Sequence, residues 1–564
     1  MPALGLVGSQ AVAQGLGLID PDRNLRIEAI EVKIANPSAD AALNSRVEDL
    51  VRRSLAAFPA DRYSDERVAA SLARARRSAE IADVTYSPEF GPTGGVVLEV
   101  TVTLGDVGTR AEPKGFFTDA GLRDFPVLYE YDGTLLRAKV EFLGMYYGNR
   151  NAWYGRPDVM LAGNPFVVGE PAGAGYSNWL EGFLHAGLYG ITPVRGSLHA
   201  YAGLSAIGSG SVGQELFTNQ TRSYFGVEDA FAGLVGGSTS EAGDRFVWTI
   251  SAGRQRFTVG DGLLIVNTSA NGLNRAALQS NPRWAADLLV LARVAYNNLR
   301  AEVFHVDPDE MPAIDTRTRI QGANFEAVVW NQFNLGFTTL RVPSSTFAYY
   351  TTSSVLAREG LRVLDARLLW QPEPVGRPGP FLSAEAAQQS NRNFDMGAWA
   401  YTGEAGYVFA SSPWTPTLSY RYARFSGDDP ATTRFERWDT LLSGGNGETW
   451  VQGINHFKVF QNSNLITHRL QARVRPVPTI ELVPQLWIFR ADSTTNLGGN
   501  PALSVLPGKD LGIEANVTAK YFLSRNVMLQ GHIAATFAGK AVEDALGSLS
   551  SPWISAMAFV RVGF

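Results

Sequence analysis

The chain of 564 residues is longer than one ordinary domain, so two or more units are expected. Apolar residues make up 45% and charged ones 18%, and the small net charge of -5 argues against a nucleic-acid partner. Cysteine is absent, which excludes thiol nucleophiles, cysteine-based zinc sites and iron–sulfur centres, and no apolar run reaches the ~18 residues of a membrane-spanning helix.

Residues 2–9 are small and apolar, and Ala11-Val12-Ala13 forms an A-x-A pattern before Gln14. Without a basic stretch in front, residues 1–24 are expected to be a signal-peptide remnant and a flexible N-terminus; a merely flexible apolar tail is the alternative. Residues 25–104 follow as a small α+β unit. Arg26–Ile34 alternates polar and apolar, as a half-buried strand does. Leu43, Val47, Leu50, Val51 and Leu55 mark one face of a helix over 41–57. Ser64 opens a second helix over 64–79, with Val68, Leu72 and Ala75 at helical spacing. Two strands, 81–89 and 95–104, close the unit around the turn signal Pro92-Thr93-Gly94-Gly95. The order β-α-α-β-β resembles a POTRA domain, the periplasmic module that precedes many outer-membrane barrels. That resemblance implies docking of a periplasmic protein partner by strand addition through residues 25–104. An unrelated small α+β domain has the same order. Residues 105–130 are a linker.

From Tyr131 to Phe564 the helical period gives way to alternation. Segments are expected near 135–148, 178–189, 194–207, 223–236, 245–255, 284–297, 299–307, 319–331, 333–342, 360–371, 381–389, 397–409, 414–425, 465–475, 479–490, 510–522, 526–538 and 553–564. Connections alternate in length. Short turns fall around Ile191-Thr192-Pro193, Asn298, Asn331-Gln332, Ser411-Ser412-Pro413, Pro476-Val477-Pro478 and Ser524-Arg525, whereas 149–177, 256–283 and 426–464 are long. A soluble sandwich has no reason for this; an up-and-down barrel anchored in a membrane does. The expected fold is therefore mainly β, a transmembrane antiparallel barrel of about 18 strands over 131–564. It belongs in the outer membrane, in contact with its lipid, with the small domain in the periplasm.

Alternation assigns the charges to the lumen, because a charge facing lipid at mid-membrane costs about 2–4 kcal/mol. The lumen set comprises Arg137, Lys139, Arg195, Arg293, Arg300, Arg367, Arg421, Arg469, Arg473, Lys520 and Arg561, against Glu141, Glu181, Asp287, Glu302, Glu326, Asp365, Glu385, Glu404, Glu481 and Glu514. The signs balance, so selectivity has to come from local clustering; cross-strand pairing that only stiffens the wall is the alternative. Tyr146, Trp179, Tyr189, Trp284, Tyr296, Trp330, Trp370 and Trp414 stand near strand ends, where interfacial girdles lie. Val560-Arg561-Val562-Gly563-Phe564 resembles the terminal strand by which such barrels are recognised for assembly.

Gly253-Arg254-Gln255, then Gly260-Asp261-Gly262, takes a strand into a long glycine-rich loop that can fold into the lumen; an ordinary surface loop is the other reading. The pattern resembles the alginate-export family of 18-stranded outer-membrane porins, as do Phe125-Pro126-Val127-Leu128-Tyr129 and Trp153-Tyr154-Gly155. The resemblance covers roughly 125–564. It implies export or diffusion of a hydrophilic solute, an acidic polysaccharide, past an arginine-rich constriction. On matching positions that role falls to Arg254 and Arg256, with Gln255 and Asp261 beside them and Arg293, Arg300, Arg367, Arg469 and Arg473 as further candidates. The balanced lumen and the preceding domain depart from the family pattern. Alternatives are a POTRA-bearing assembly or secretion barrel and a structural or general-diffusion porin. Val194-Arg195-Gly196, opening a strand and running on into Ser197, is the nearest approach to the Val-Arg-Gly-Phe/Tyr motif of the former. His185, His199, His305, His456, His468 and His532 lack any ligand spacing, no serine has a nucleophile-like context, and Ile207-Gly208-Ser209-Gly210-Ser211 has loop composition. No enzyme activity, metal or cofactor is expected.

Overall fold

The computed structural model describes residues 27–55, 63, 68, 72, 75, 78, 80–90, 96–105, 126–131, 133–152, 175–215, 219–240, 244–330, 332–351, 354–373, 377–443, 453–458, 460–477, 479–495, 507–523, 526–546 and 551–564. The signal remnant at 1–24, the turn 92–95, most of the linker 105–130, Phe125 and Trp153-Tyr154-Gly155 lie outside the described residues.

The small unit begins with β1 (Ile27–Ile34) and α1 (Ala41–Ser54). Asp40 caps α1 by accepting from the Ala42 amide at 2.9 Å, one of the donors a helix start leaves unpaired. Within the second expected helix, Val68, Leu72 and Ala75 are helical and buried, while Ser78 already lies in a bend. β2 (Ile81–Phe90) and β3 (Val96–Leu104) complete a sheet of order β1-β3-β2, parallel between β1 and β3 and antiparallel between β2 and β3. Val96, Leu98, Val100 and Val102 of the central strand are buried with Val47 and Val51 of α1.

The barrel starts at β4 (Val127–Tyr131), a short arm on the first wall strand, β5 (Thr134–Arg150). The wall continues through β6 (Tyr176–Arg195), β7 (Leu198–Gly213), β8 (Arg222–Thr239), β9 (Arg245–Arg254), β10 (Leu288–Tyr296), β11 (Leu299–Asp307), β12 (Arg319–Val329) and β13 (Phe333–Ser344). A two-stranded hairpin, β14 (Ala348–Tyr350) and β15 (Val355–Ala357), interrupts the wall order. The wall resumes as β16 (Leu361–Trp370), β17 (Gly379–Asn391), β18 (Ala398–Val408), β19 (Thr417–Phe425), β20 (Leu465–Val477), β21 (Ile480–Ala491), β22 (Asp510–Phe522), β23 (Val527–Ala538) and β24 (Trp553–Gly563). β24 pairs antiparallel with β5, from Ile554 opposite Arg150 to Gly563 opposite Glu141, so the 18-stranded sheet closes and no edge faces lipid.

Alternation decides what faces where. On β22, Glu514, Asn516, Thr518 and Lys520 are buried while Ile513, Ala515, Val517, Ala519 and Tyr521 are exposed outward. Tyr146, Tyr296, Trp330 and Trp414 are exposed as a girdle requires. Three expected girdle members turn inward instead. Trp179 shares the inward parity of Glu181 and donates to it at 3.0 Å, Tyr189 donates to Asp229 at 2.6 Å, and Trp284 is buried in a loop.

The expected turn at Ile191-Thr192-Pro193 lies further on. β6 runs through Pro193, where a register irregularity accommodates the ring, and the chain reverses at residues 196–197 with Gly196 at φ +55°. Val194-Arg195 therefore ends β6 rather than opening the next strand, and exposed Arg195 leaves the lumen set. Residues 207–211 are not a loop but part of β7, with Ser209 and Ser211 buried.

Most of the short connections lie on the side of the small domain and the longest ones on the other. Among the long ones, 255–287 and the described residues of 426–464 fold into the barrel, where Phe257, Leu263, Leu264, Ile265, Trp438, Leu441 and Leu442 share one apolar cluster with wall residues Leu143, Phe304, Leu340, Phe425 and Trp487. They meet in a parallel bridge between Ile265 and Leu442, where the Val266 amide donates to the Leu442 carbonyl at 3.0 Å.

Candidate functional site: arginine–carboxylate tiers and two inward loops

The loop 255–287 begins where β9 ends. Gln255 is locked in the wall, accepting from Ser251 Oγ at 2.9 Å and donating to the Leu289 carbonyl at 3.3 Å. Arg254 turns to Asp309 in the next long connection, 2.8 Å away, and also bonds Asp287, which stands half exposed just before β10. Asp309 accepts from two more arginines of the loop, Arg275 at 2.7 Å and Arg283 at 2.5 Å, and from Ser269 Oγ at 3.0 Å. Burial alone would push this carboxyl up, but Arg283, Arg275 and Arg254 together hold it down at about 2. Asp287, competing for Arg254, is shifted the other way by burial and by the Asp309 charge. Arg256 does not join this cluster; it bridges the backbone at Ala285 and acts electrostatically on Asp229 of β8.

The tip of the loop crosses to the other wall. Gly260, at φ +53°, lies so close to Arg367 of β16 that a Cβ there would sit 2.5 Å from Arg367 Nε, so any larger residue has to displace that guanidinium. Asp261 beside it lies within the electrostatic reach of Arg367 and Glu385. Arg367 itself donates to Thr338 Oγ1 at 2.7 Å and Asn324 Oδ1 at 2.5 Å and bonds Asp365. The structure thus brings Arg367 and Asp261 together, and sets Arg254 in a separate cluster with Arg275 and Arg283.

Both loops are fixed to the wall by buried glutamates. Glu228 of β8 accepts the consecutive amides of Trp284 and Ala285, at 2.7 and 3.1 Å. Glu514 of β22 accepts those of Ile454, Asn455 and His456, at 2.5, 2.9 and 3.0 Å. Both side chains are fully buried, so each carboxylate exchanges its water for a row of backbone donors. Loop 426–464 has a second tie. Arg358, after β15, holds Asp439 in a two-pronged pair at 2.7 and 2.8 Å, and Tyr349 of β14 bonds the same carboxylate. Burial opposes the charge on Asp439, but Arg358 outweighs it and keeps the carboxyl below its ordinary range. Like Arg437 and His456, Lys458 is a buried base of that loop. Its Nζ bonds Tyr147 OH and lies 3.9 Å from that ring's centroid, and burial pushes the amine well below the usual lysine range.

Around the wall between β10 and β22 the remaining charges form cross-strand tiers. Arg293 pairs with Glu302 at 2.7 Å, Arg300 with Glu326, Arg421 and Arg469 with Glu404, and Arg473, Arg475 and Lys520 with Glu481. Arg469 and Arg473 are nearly sealed, with side chains 2% and 4% exposed, whereas Arg293, Arg300, Arg421 and Arg475 keep 13–21% of their side chains open. Arg275, Arg283, Asp309, Glu228 and Arg475 were not singled out from sequence. The first four depend on a loop meeting a wall, which spacing does not encode; inward parity did mark Arg475.

At the small domain's end, Arg137 donates to Tyr86 OH of β2 at 3.0 Å. The apolar cluster of that domain also runs on into Val127, Leu135, Ile191, Val235 and Val247 of the barrel rim.

No curated protein matches the sequence. Among solved structures, OccK2 (OpdF) of Pseudomonas aeruginosa in complex with glucuronate aligns over 76% of this chain and 98% of its own, at 10% identity and TM-score 0.45. OpdK of the same organism aligns over 76% and 98% at 13% identity and TM-score 0.45, and OccAB2 of Acinetobacter baumannii over 76% and 98% at 10% and 0.44. The family model described as alginate export matches residues 217–552, more than half of the chain. The chain therefore belongs to the alginate export family and is an outer-membrane β-barrel channel for hydrophilic solutes, not an enzyme.

Proposed function

We propose that the channel passes an acidic polysaccharide outward from the side of the small domain, which serves as a POTRA-like periplasmic docking unit. The observation that carries this reading is the row of part-open guanidinium groups, Arg293, Arg300, Arg421 and Arg475, each already beside a wall carboxylate. A sugar carboxylate can take the place of the wall carboxylate at one arginine and then pass to the next. The planar fork of arginine suits that exchange, and a competing carboxylate keeps each site weak enough to release its load. Arg254, Gln255, Arg256 and Asp261 carry the loop across the path, and Arg367 anchors its tip. Arg469 and Arg473, more deeply buried, act as constriction members mainly by positioning Glu404 and Glu481. The mixed sheet of the small domain, β1-β3-β2 with α1 beside it, and its seat on the barrel rim support the docking role. Single-channel current in planar bilayers tests the reading. Uronate oligomers are expected to block it and neutral oligomers of equal length are not, with the block weakened in Arg293→Gln/Arg300→Gln; indifference to both oligomers overturns the proposal.

A further inference from the structure

On the outer wall, away from the lumen, β13, β16, β17 and β18 enclose a groove of about 570 Å³ that faces the membrane. One cross-strand row, Phe337–Ala366–Ala386–Tyr401, supplies two alanines as the floor and an aromatic ring on each side. The next row toward the long connections is Leu364–Gln388–Trp399. In the row above it, Arg341 and Arg362 stand directly opposite each other. Both share the parity of the exposed outward residues Phe337 and Leu364, and both are exposed.

Like charges at directly opposed positions of a sheet repel. Many arginines of this molecule are met by carboxylates, and the flanking members of this very patch follow that habit: Arg319 has Asp307 at 3.4 Å, Arg392 has Glu359 at 3.5 Å and Arg424 has Asp492 at 2.7 Å. The central two differ. Arg341 donates Nε and Nη2 to Gln321 Oε1, at 3.1 and 2.9 Å, and among the described residues neither Arg341 nor Arg362 has a carboxylate partner. Two uncompensated guanidinium groups lie side by side at the end of the wall farthest from the small domain, above an apolar groove.

We infer that this groove binds a phosphate-bearing acylated glycolipid of the outer leaflet. The phosphate bridges Arg341 and Arg362, which removes their mutual repulsion, and an acyl chain lies over Ala366 and Ala386 between Phe337 and Tyr401. The charge complementarity selects the headgroup, and the alanine floor, where larger side chains would fill the groove, makes room for the chain.

Native mass spectrometry of the full chain in detergent, with lipid A as the probe, tests this. Phosphorylated lipid A is expected to bind at least about tenfold tighter than its dephosphorylated form, the difference that one charge-assisted contact supplies. Arg341→Gln/Arg362→Gln should erase that preference, and Ala386→Trp, which fills the floor, should weaken both lipids while the barrel keeps its heat-modifiable mobility. Equal binding of the two lipids, or an undiminished preference in the double variant, overturns the proposal. Displacement of the lipid by inorganic phosphate alone does so too, since it would mark a free-anion site.

Discussion

At the scale of single residues, the buried carboxylates of this barrel work by receiving donors rather than by standing free. Glu514 is the clearest case, because three successive amides of loop 426–464 converge on it. Glu514→Gln keeps the shape but loses the charge and offers an amide where an acceptor is needed, which leaves buried donors unmet at a cost of about 1–3 kcal/mol. Hydrogen exchange at Ile454, Asn455 and His456 is expected to quicken by about tenfold or more while exchange in β22 is unchanged. Gly260 poses the opposite demand, for space. Gly260→Val places a branched side chain on the Arg367 guanidinium at a positive φ, so the loop tip should withdraw from β16, seen as a longer distance between spin labels at the tip and on that strand.

Among the elements, loop 255–287 rests on the Asp309 cluster, and that cluster has a pH signature. The carboxyl of Asp309 is held below its ordinary value, so its contribution is fully present above pH ~4 and fades as pH falls through about 2. Pepsin should therefore cut within 255–287 only at the acid end of that window. Asp309→Asn, which removes the carboxylate that three arginines share and leaves Arg275 without one, costs about 3–5 kcal/mol at neutral pH and should expose the loop to a neutral protease there. These elements also show what was legible in advance. The expected strands correspond to the 18 wall strands because alternation over nine or more residues is a local signal, and even Glu404, Arg421 and Arg469 fall on the face that parity assigned. The girdle assignment failed where a residue's parity and partner, not its depth, fixed its place. Trp179 turned to Glu181 and Tyr189 to Asp229, although both sit near strand ends. The inward course of the loops could be suspected from Gly253 to Gly262, but Glu228 and Glu514 are alternating wall residues with nothing local to mark them as anchors.

In the whole molecule, the small domain is seated on the barrel rather than strung in front of it. Val235 and Leu135 of the rim share its apolar cluster, and Tyr86 reaches Arg137. Val235→Asp, which buries an unpaired charge in that seam, should release the domain and expose β2 and β3 to trypsin, whereas Tyr86→Phe, which removes one hydrogen bond at about 1 kcal/mol, should leave it protected. The closing seam of the barrel carries a different consequence. Asn149 and Trp553, hydrogen-bonded to each other across β5 and β24, are 404 positions apart. The first wall strand to leave the ribosome is thus among the last to find its second neighbour, and beyond the few residues that β4 covers it waits with one side unsatisfied while the rest of the wall is made. Synthesis and closure are separate events for this chain, and something must shield that waiting strand between them.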